Sequence, residues 1–355
     1  MSIPVSLREN VPLAPFTTLR IGGNARFFIS AADEDQVVEA VRFAVENRLD
    51  LFVLGGGSNV LIADSGFDGL VLQVALKGVS GFREKDGTVY VTAGAGEDWD
   101  RFVELCVEKG LQGVECLSGI PGFVGGTPVQ NVGAYGQDVS ETIVGVRAFD
   151  HKRGQIVTLA NTDCGFSYRT SIFNTTDRER YIVLSVTYAL TQNGAPKIAY
   201  KDLKEIFGDR APSLPETREA VLKIRRAKSM VIDDADPNSR SAGSFFKNPV
   251  VTGEDFTAIE RKAEDMGFGQ VPFFPAPDGN VKVPAAWLIE KSGFAKGYRH
   301  GRAGLSSKHT LAIVNGGDAR ASDILDLKEL IQAKVRENFL VTLHAEPVFV
   351  GFGSE

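Results

Sequence analysis

A run of three glycines directly after an apolar segment limits how this chain can fold. Residues 51–54 have the length and composition of a buried strand, and they end at Gly55, Gly56 and Gly57 before a second apolar run at residues 60–62. Because glycine lacks a Cβ, such a run favours a tight turn and weakens a helix interior. The pattern predicts a strand, a glycine turn and a second strand.

Helical and strand patterns alternate along the rest of the chain, which predicts an α+β or α/β arrangement. Apolar periodicity predicts helices at residues 31–48, 98–109, 216–228, 285–292 and 322–339, with Ser322 as the N-cap of the last. Further strands are expected at residues 88–91, 181–190 and 340–352. A chain of 355 residues suggests about two or three domains, and the acidic, proline-containing segment 231–240 indicates a boundary near residue 228.

Composition excludes several classes of protein. The net charge of -6 argues against sequence-independent nucleic-acid binding, which depends on basic surfaces. No apolar run approaches the ~20 residues of a membrane helix, so we expect no membrane insertion. Three cysteines without CxxC spacing and no N-terminal signal pattern predict a cytoplasmic location. Four scattered histidines predict no metal site, and nothing in the sequence indicates an obligate protein partner.

A second glycine-rich segment, residues 119–126, strengthens the functional interpretation of the first. Both would bring backbone amides close to an anionic group, so together they suggest a pyrophosphate site. Neither matches a Walker A motif or a Gly-x-Gly-x-x-Gly motif that opens a helix. Taken singly, each is better explained as a tight turn, and only the pairing of the two favours a binding site.

Three polar side chains are candidates for chemistry. Ser244 follows Gly243 and precedes two phenylalanines, a setting in which a hydroxyl donates a proton at a fixed point, although an ordinary turn into a strand fits too. Arg169 could clamp a carboxylate or lie on the surface. Glu346 interrupts an apolar strand pattern and either faces solvent or serves a site.

The order and spacing of several segments resemble the UDP-N-acetylenolpyruvoylglucosamine reductase family. These enzymes, also called UDP-N-acetylmuramate dehydrogenases, are flavoenzymes of bacterial peptidoglycan precursor synthesis, and the resemblance extends over nearly the whole chain. The matching segments are residues 18–23, 54–61, 120–136, 168–173, 242–249 and 286–290, and Glu346.

The resemblance implies an α+β fold with a vanillyl-alcohol-oxidase-like (PCMH-type) FAD-binding domain in two subdomains and a smaller α+β substrate-binding domain. The implied boundaries are residues 1–228 for the FAD-binding part, with subdomains of about 1–75 and 76–228, and residues 229–339 for the substrate domain. Residues 340–355 would form a strand that returns to the FAD-binding part.

The cofactor implied by the resemblance is noncovalently bound FAD, with NADPH as hydride donor. The implied pyrophosphate-binding residues are Gly55, Gly56, Gly57, Ser58 and Asn59. The implied flavin-lining residues are Pro121, Gly125, Asn131 and Gly133.

The implied reaction has two halves. NADPH gives a hydride to flavin N5, and the hydride then passes to the enolpyruvyl methylene carbon of a UDP-sugar, which yields UDP-N-acetylmuramate. Arg169 and Glu346 match residues that position and polarise the enolpyruvyl carboxylate, and Ser244 matches the proton donor to the adjacent carbon. Implied substrate-binding residues are Tyr168, Tyr200, Lys228, Asn248 and His309, and Tyr200 matches the loop tyrosine of one subtype of the family.

Two positions depart from the family pattern, and two other functions remain open. Arg302 adds bulk where small residues are usual, and Pro347 lacks the N–H of the β-branched residue that is commoner after the glutamate. A flavin oxidase of the same fold is disfavoured because no histidine lies in the glycine-rich segments. A nucleotide-sugar-binding protein without catalysis is disfavoured by the joint presence of Ser244, Arg169 and Glu346.

Overall fold

The computed structural model describes residues 4 and 6–353 of the chain. Those residues form seven α-helices and twenty strands. The helices are α1 (Glu34–Glu46), α2 (Trp99–Glu108), α3 (Lys201–Phe207), α4 (Leu214–Ala227), α5 (Gly253–Asp265), α6 (Ala285–Lys291) and α7 (Ala321–Phe339). The strands are β1 (Arg8–Pro12), β2 (Asn24–Ala31), β3 (Asp50–Leu54), β4 (Val60–Ile62), β5 (Phe67–Val74), β6 (Val79–Lys85), β7 (Thr88–Gly94), β8 (Leu111–Gln112), β9 (Gly133–Ala134), β10 (Gln137–Asp138), β11 (Ile143–Asp150), β12 (Gln155–Ala160), β13 (Tyr181–Gln192), β14 (Val250–Val251), β15 (Phe274–Pro275), β16 (Val281–Lys282), β17 (Arg299–His300), β18 (Ala303–Leu305), β19 (Ile313–Asn315) and β20 (Val348–Val350).

The helices begin where side chains satisfy their first amides. Asp33 accepts from the amide of Gln36 at the start of α1, and Asp98 accepts from that of Arg101 at the start of α2. At α4, Ser213 and Glu216 form a reciprocal capping box. The predicted helices at these three places are confirmed within a few residues.

Two details of the sequence prediction are wrong. The last helix has Arg320, not Ser322, at its N-cap position, because the carboxylate of Asp64 accepts from the amides of Ala321 and Ser322. The predicted strand over residues 340–352 is reduced to β20. Leu340 ends α7 in the left-handed conformation, with a φ of 60°, and Pro347 has no N–H to give to a ladder.

The described chain divides into two compact units. The first unit comprises Met1–Val11, Ala25–Gly57 and Phe67–Val231, and the second comprises Pro12–Asn24, Ser58–Gly66 and Ile232–Glu355. Two short segments of the N-terminal quarter therefore belong to the second unit, as does the C-terminal strand, which pairs in parallel with β4. The predicted assignment of functions to domains bounded at residues 228 and 339 stays a prediction.

The first unit is built on two sheets. One has the order β1-β2-β5-β3, with β5 parallel to both β2 and β3, and the other has the order β12-β11-β13-β7-β6 with antiparallel pairs. Trp99, Phe102 and Tyr188 lie together in its core, and each is at most 2% exposed. This core supports the glycine-rich segment that follows α2.

The second unit has a core of its own. Its small antiparallel sheets, β14-β16-β15 and β17-β18-β19, pack with α5, α6 and α7 around side chains that include Phe245, Leu288 and Phe339, none of them exposed. None of the helices within residues 6–353 combines the length and the apolar composition that a bilayer crossing requires.

Candidate active site

The two glycine-rich segments meet in the first unit. A Cβ on Gly56 would lie 2.7 Å from the Cα of Gly122, and one on Gly125 would lie 2.6 Å from the Cβ of Ala95. In contrast, a Cβ on Gly55 or Gly126 would have nothing within 4 Å. Some of these glycines thus permit close backbone contact, whereas others leave open space beside the main chain.

The second glycine segment is fixed along its length by hydrogen bonds. The amide of Gly119 donates to Asp100 at 2.6 Å, the carbonyl of Gly122 accepts from the amide of Trp99, and the amide of Gly125 donates to the carbonyl of Ala95. At its far end, the hydroxyl of Thr127 lies 2.9 Å from that of the buried Tyr188. The segment is therefore preorganised by the helix and strands beside it.

Arg169 lies with two of the predicted flavin-lining residues. Its guanidinium donates to the carbonyl of Gly133 at 2.6 Å and to that of Asn131 at 3.4 Å. Asn131 is 4% exposed, and its amide group donates to the carbonyl of Ser167 and accepts from the amide of Ser140. The structure thus brings Arg169, Asn131 and Gly133 together.

The backbone at this place is strained in a way that sequence analysis does not reveal. Arg169 has a φ of 55° and Asn131 a φ of 45°, values that few residues other than glycine adopt. Such strain persists only where the surroundings enforce it, and it is concentrated at functional sites. The guanidinium of Arg169 also lies 5.5 Å from the ring centre of the exposed Tyr168.

The segments that carry Ser244 and Glu346 are joined by main-chain hydrogen bonds in the second unit. The amide of Glu346 donates to the carbonyl of Phe245 at 2.9 Å, and the amide of Lys247 donates to the carbonyl of His344. Gly243, with a φ of 73°, makes the turn before Ser244, as the sequence predicted. Both Ser244 and Glu346 are half-buried, while Phe245 and Phe246 are almost fully buried.

Three further predicted residues occupy the second unit. Asn59 donates to the main-chain carbonyl of Glu346 at 3.2 Å. The side-chain oxygen of Asn248 accepts from the amide of Ala285, at the start of α6. His309 is half-buried in the turn between β18 and β19. A structural role is thus visible for Asn248, and the predicted ligand contacts of all three stay predictions.

Tyr200 and Lys228 form a polar cluster in the first unit with two residues that sequence analysis did not assign. The ring of Tyr200 meets that of Tyr135 edge to face, with centroids 5.4 Å apart. The ammonium of Lys228 donates to Asp202 at 2.9 Å. Burial lowers the pKa of Lys228, but the hydrogen bond to Asp202 together with the electrostatic attraction of Tyr135, Asp202 and Tyr200 outweighs it, so the pKa is raised. Lys228 therefore carries its charge throughout the neutral range.

Arg225 is a second cation near Tyr135, and the sequence analysis assigned it no role. Burial lowers its pKa, an effect opposed by Tyr135 and Asp100, and its Nε is buried without a hydrogen-bond partner. One terminal nitrogen donates to the carbonyl of Met230. The signal in the sequence was the cationic end of α4, where Arg225 precedes Lys228 by three residues.

The residues of the first unit fit an FAD group. Open space beside Gly55 and Gly126 leaves the main chain accessible, and a side chain at either position would begin to fill that space. Pro121, Asn131 and Gly133 lie in the same unit. Ser58 and Asn59 continue the first glycine turn along the chain but belong to the second unit. Among the described residues, no cluster of three or more His, Cys, Asp or Glu side chains is placed to hold a metal ion.

Comparison with known proteins identifies the family. A model of the FAD binding domain matches residues 25–160, and a model of the UDP-N-acetylenolpyruvoylglucosamine reductase C-terminal domain matches residues 236–350. The chain is 46% identical to the UDP-N-acetylenolpyruvoylglucosamine reductase of Thermobifida fusca over 98% of both chains. It is 48% identical to that of Streptomyces coelicolor over 98% of this chain and 91% of the relative.

A solved structure agrees with these matches. The UDP-N-acetylenolpyruvylglucosamine reductase of Thermus caldophilus is 26% identical and superposes with a TM-score of 0.65, covering 97% of this chain and 99% of its own. The predicted α+β fold class with an FAD-binding domain is confirmed, and the chain is an oxidoreductase with FAD as cofactor. The chain belongs to the UDP-N-acetylenolpyruvoylglucosamine reductase family.

Proposed function

We propose that this protein reduces the enolpyruvyl group of UDP-N-acetylglucosamine enolpyruvate to a lactyl ether with NADPH, which yields UDP-N-acetylmuramate for peptidoglycan synthesis in the cytoplasm. The observation that carries the proposal is the pairing of Ser244 with Glu346. The amide of Glu346 donates to the carbonyl of Phe245, and this main-chain bond joins the segment that carries the hydroxyl to the segment that carries the carboxylate in the second unit. The two residues are 102 positions apart in the sequence numbering, so this pairing is a product of the fold.

FAD is proposed to bind along the glycine segments of the first unit. When bound, it would supply the hydride transfer from NADPH to the enolpyruvyl methylene carbon. The residues proposed to hold it are Gly55, Gly56, Gly57, Ser58, Asn59, Pro121, Gly125, Asn131 and Gly133. Their contribution is to fix position, since the segment 119–127 is already held by Asp100, Trp99 and Tyr188.

Arg169 is proposed to position the enolpyruvyl carboxylate. Its two main-chain acceptors, Asn131 and Gly133, fix the plane of the guanidinium before any ligand arrives. A preoriented cation stabilises charge that develops during a reaction without a further cost of reorganisation. This arrangement supports a role in transition-state stabilisation.

Ser244 is proposed to give the proton that completes the reduction. The turn at Gly243 and the main-chain hydrogen bonds of Phe245 restrict where its hydroxyl lies, and the two buried phenylalanines limit the access of water from one side. Glu346 is proposed to position and polarise the enolpyruvyl group beside it. Both assignments agree with the half-buried state of the two side chains.

The remaining polar residues are proposed to bind the rest of the substrate. The protonated Lys228 offsets the charge of a diphosphate, and Asn248, Tyr168 and His309 are further candidates. Tyr200 is 40% exposed at the start of α3, where a ring is available to cover a ligand, so we assign the chain to the subtype with the tyrosine-bearing loop.

The proposed function is tested on the purified protein. We expect a yellow protein from which acid precipitation releases FAD, and we expect NADPH oxidation to require the enolpyruvyl UDP-sugar. A colourless protein that takes up no FAD would exclude every flavin-dependent function. Rapid NADPH oxidation with oxygen alone would support the flavin oxidase alternative instead.

A further inference from the structure

Glu115 is a completely buried carboxylate to which the proposed mechanism gives no role. It is 0% exposed and lies in the first unit, between β8 and the second glycine segment. One of its oxygens accepts from the amide of Gly113 at 2.8 Å. The other accepts from the side-chain amide of Gln137 at 2.8 Å and from the main-chain amide of Lys197 at 3.0 Å.

The donors come from three separate segments of the chain. Gly113 precedes Glu115 by two residues, Gln137 begins β10, and Lys197 lies on the connection from β13 to α3. All three donors are neutral N–H groups of the protein, so these hydrogen bonds to the carboxylate involve no cation. A buried carboxylate is costly without such partners, so Glu115 favours the arrangement in which all three segments hold their N–H groups against it.

Gln137 is oriented by the same network. Its side-chain nitrogen donates to Glu115, while its oxygen accepts from the amide of Cys116 at 2.8 Å. The thiol of Cys116 donates to the carbonyl of Lys197 at 3.3 Å. Burial, with a smaller contribution from Glu115, raises the pKa of Cys116 to about 12, so the thiol stays protonated as a donor. Every group of this network therefore has one fixed donor or acceptor role.

The network joins the two chain segments that carry Tyr135 and Tyr200. Gln137 is two residues after Tyr135, and Lys197 is three residues before Tyr200. A Cβ on Gly136 would lie 3.1 Å from the Cβ of Ala199, so the two segments touch beside the tyrosine pair. Tyr135 adopts a φ of 49°, which the surroundings must enforce.

We propose that Glu115 is a positioning residue of the enzyme: its buried carboxylate clamps the turn that carries Tyr135 to the segment that carries Tyr200. It touches neither tyrosine itself and acts through Gln137 and the main chain of Lys197. The clamp sets where the Tyr200 ring lies in the absence of substrate. The inference deepens the proposed function and rests on it for the role of Tyr200 in substrate binding.

The hydrogen bonds require a carboxylate at this position. An amide at residue 115 has one oxygen, whereas N–H groups face both oxygens of Glu115. Glu115→Gln therefore turns an NH₂ group towards at least one N–H donor, and a buried polar group loses its partner. We expect the segment 194–200 to open more often in this variant, because one of its main-chain anchors is weakened.

Limited trypsin digestion of the FAD-loaded protein, without substrate, measures this opening. Lys197 is the cleavage site within the segment and Lys201 is the one directly after it, and cleavage at these lysines reports how often the segment opens. We expect Glu115→Gln to be cut at these lysines roughly tenfold faster than the wild type. Asp150→Asn is the matched control, because Asp150 is an equally buried carboxylate of the same unit whose ion-pair partners, Arg180 and Arg153, do not belong to this network.

A compensating pair of substitutions separates positioning from general loss of stability. In the double variant Glu115→Gln with Gln137→Glu, the carboxylate at residue 137 accepts from the main-chain amide of Cys116 and from the side-chain amide at residue 115. The hydrogen bond between the two side chains is thus restored, but one main-chain N–H group is left without an acceptor. We expect this double variant to recover part of the protection against trypsin. If Glu115→Gln does not fold, Gln137→Met removes the same link while leaving the carboxylate two main-chain donors.

The kinetic counterpart is a selective change in substrate affinity. We expect Glu115→Gln to raise the KM for the enolpyruvyl UDP-sugar about tenfold with a smaller change in kcat, and Asp150→Asn to change neither. The proposal is wrong if both variants show the same trypsin pattern and the same KM, or if the double substitution protects no better than Glu115→Gln. Absence of reductase activity in the wild type would refute the proposed function alone, since the trypsin experiment needs no turnover.

Discussion

The side chains assigned to the chemistry are held differently in the two units. In the first unit, Arg169 is fixed through its own side chain, by bonds from its guanidinium to two carbonyls, one of which belongs to the buried Asn131. In the second unit, Ser244 and Glu346 are placed by bonds between main-chain atoms of the segments that carry them. Substitution at Ser244 should therefore remove a reacting group and leave its scaffold intact, whereas substitution at Arg169 disturbs group and scaffold together.

The largest effect is expected at Ser244. Ser244→Ala should lower kcat about 10³-fold, because a positioned general acid contributes ~10²–10⁴ in rate. Ser244→Cys retains an ionisable proton and should keep more activity. The control is Ser292→Ala, which removes a buried hydroxyl without a hydrogen-bond partner in the same unit and should leave kcat unchanged. Equal losses of kcat in Ser244→Ala and Ser292→Ala would contradict the expectation that Ser244→Ala acts by removing a reacting group.

A smaller effect is expected from Arg169→Lys. A lysine ammonium keeps the charge but cannot reproduce the planar guanidinium that reaches both Asn131 and Gly133. We expect kcat/KM for the enolpyruvyl UDP-sugar to fall about 10²-fold, the scale of a lost electrostatic donor. Steady-state kinetics measures this, and a thermal melt should show a lower Tm than that of Ser244→Ala. A fully active Arg169→Lys would mean that charge alone suffices there.

The glycine turn offers a comparison within three residues. Gly56→Ala places a methyl group 2.7 Å from the Cα of Gly122, so it should destabilise the FAD-free protein by ~1–3 kcal/mol. Gly55→Ala places its methyl group in open space and should leave the FAD-free protein as stable as the wild type while weakening FAD binding. Thermal melts with and without FAD distinguish these outcomes. Unchanged FAD affinity in Gly55→Ala would contradict the proposed binding of FAD at this turn.

The smallest effect on catalysis is expected at Asp150, which has no proposed role in binding or catalysis. The hydrogen bond from Arg180 holds the pKa of Asp150 below its usual range and outweighs burial. The stabilisation is thus complete above the unfolded pKa of about 4 and is lost as the pH falls through the lower folded pKa. The Tm difference between wild type and Asp150→Asn should shrink between about pH 6 and about pH 3, with kcat at neutral pH unchanged. A Tm difference that grows as the pH falls would contradict a stabilising contribution from the ionised Asp150.

Local patterns predicted five of the seven helices but only five of the twenty strands among the described residues. Apolar periodicity identified α2, and the glycine run after β3 marked the turn that lies against Gly122. What failed depended on distant residues: the start of α7 is capped by Asp64, which is 257 positions away in the sequence. Residues 58–66 join the second unit for a similar reason, because β4 pairs with β20.

The site residues that could be predicted from the sequence are those that lie in recognisable short motifs. Ser244 stood out because glycine and two phenylalanines surround it, and Gly243 does make the expected turn. Arg225 and Glu115 did not stand out, since a cation near a helix end and an acid in a loop are ordinary in sequence. Only burial distinguishes them, and burial depends on residues from several segments.

Rapid mixing of Ser244→Ala tests the central claim most directly, because it follows the two half-reactions separately. Bleaching of the flavin absorbance by NADPH should proceed within about twofold of the wild-type rate, since Ser244 has no role in that step. Return of the absorbance on addition of the enolpyruvyl UDP-sugar should be about 10³-fold slower. Equal slowing of both half-reactions would contradict the assignment of Ser244 as the proton donor.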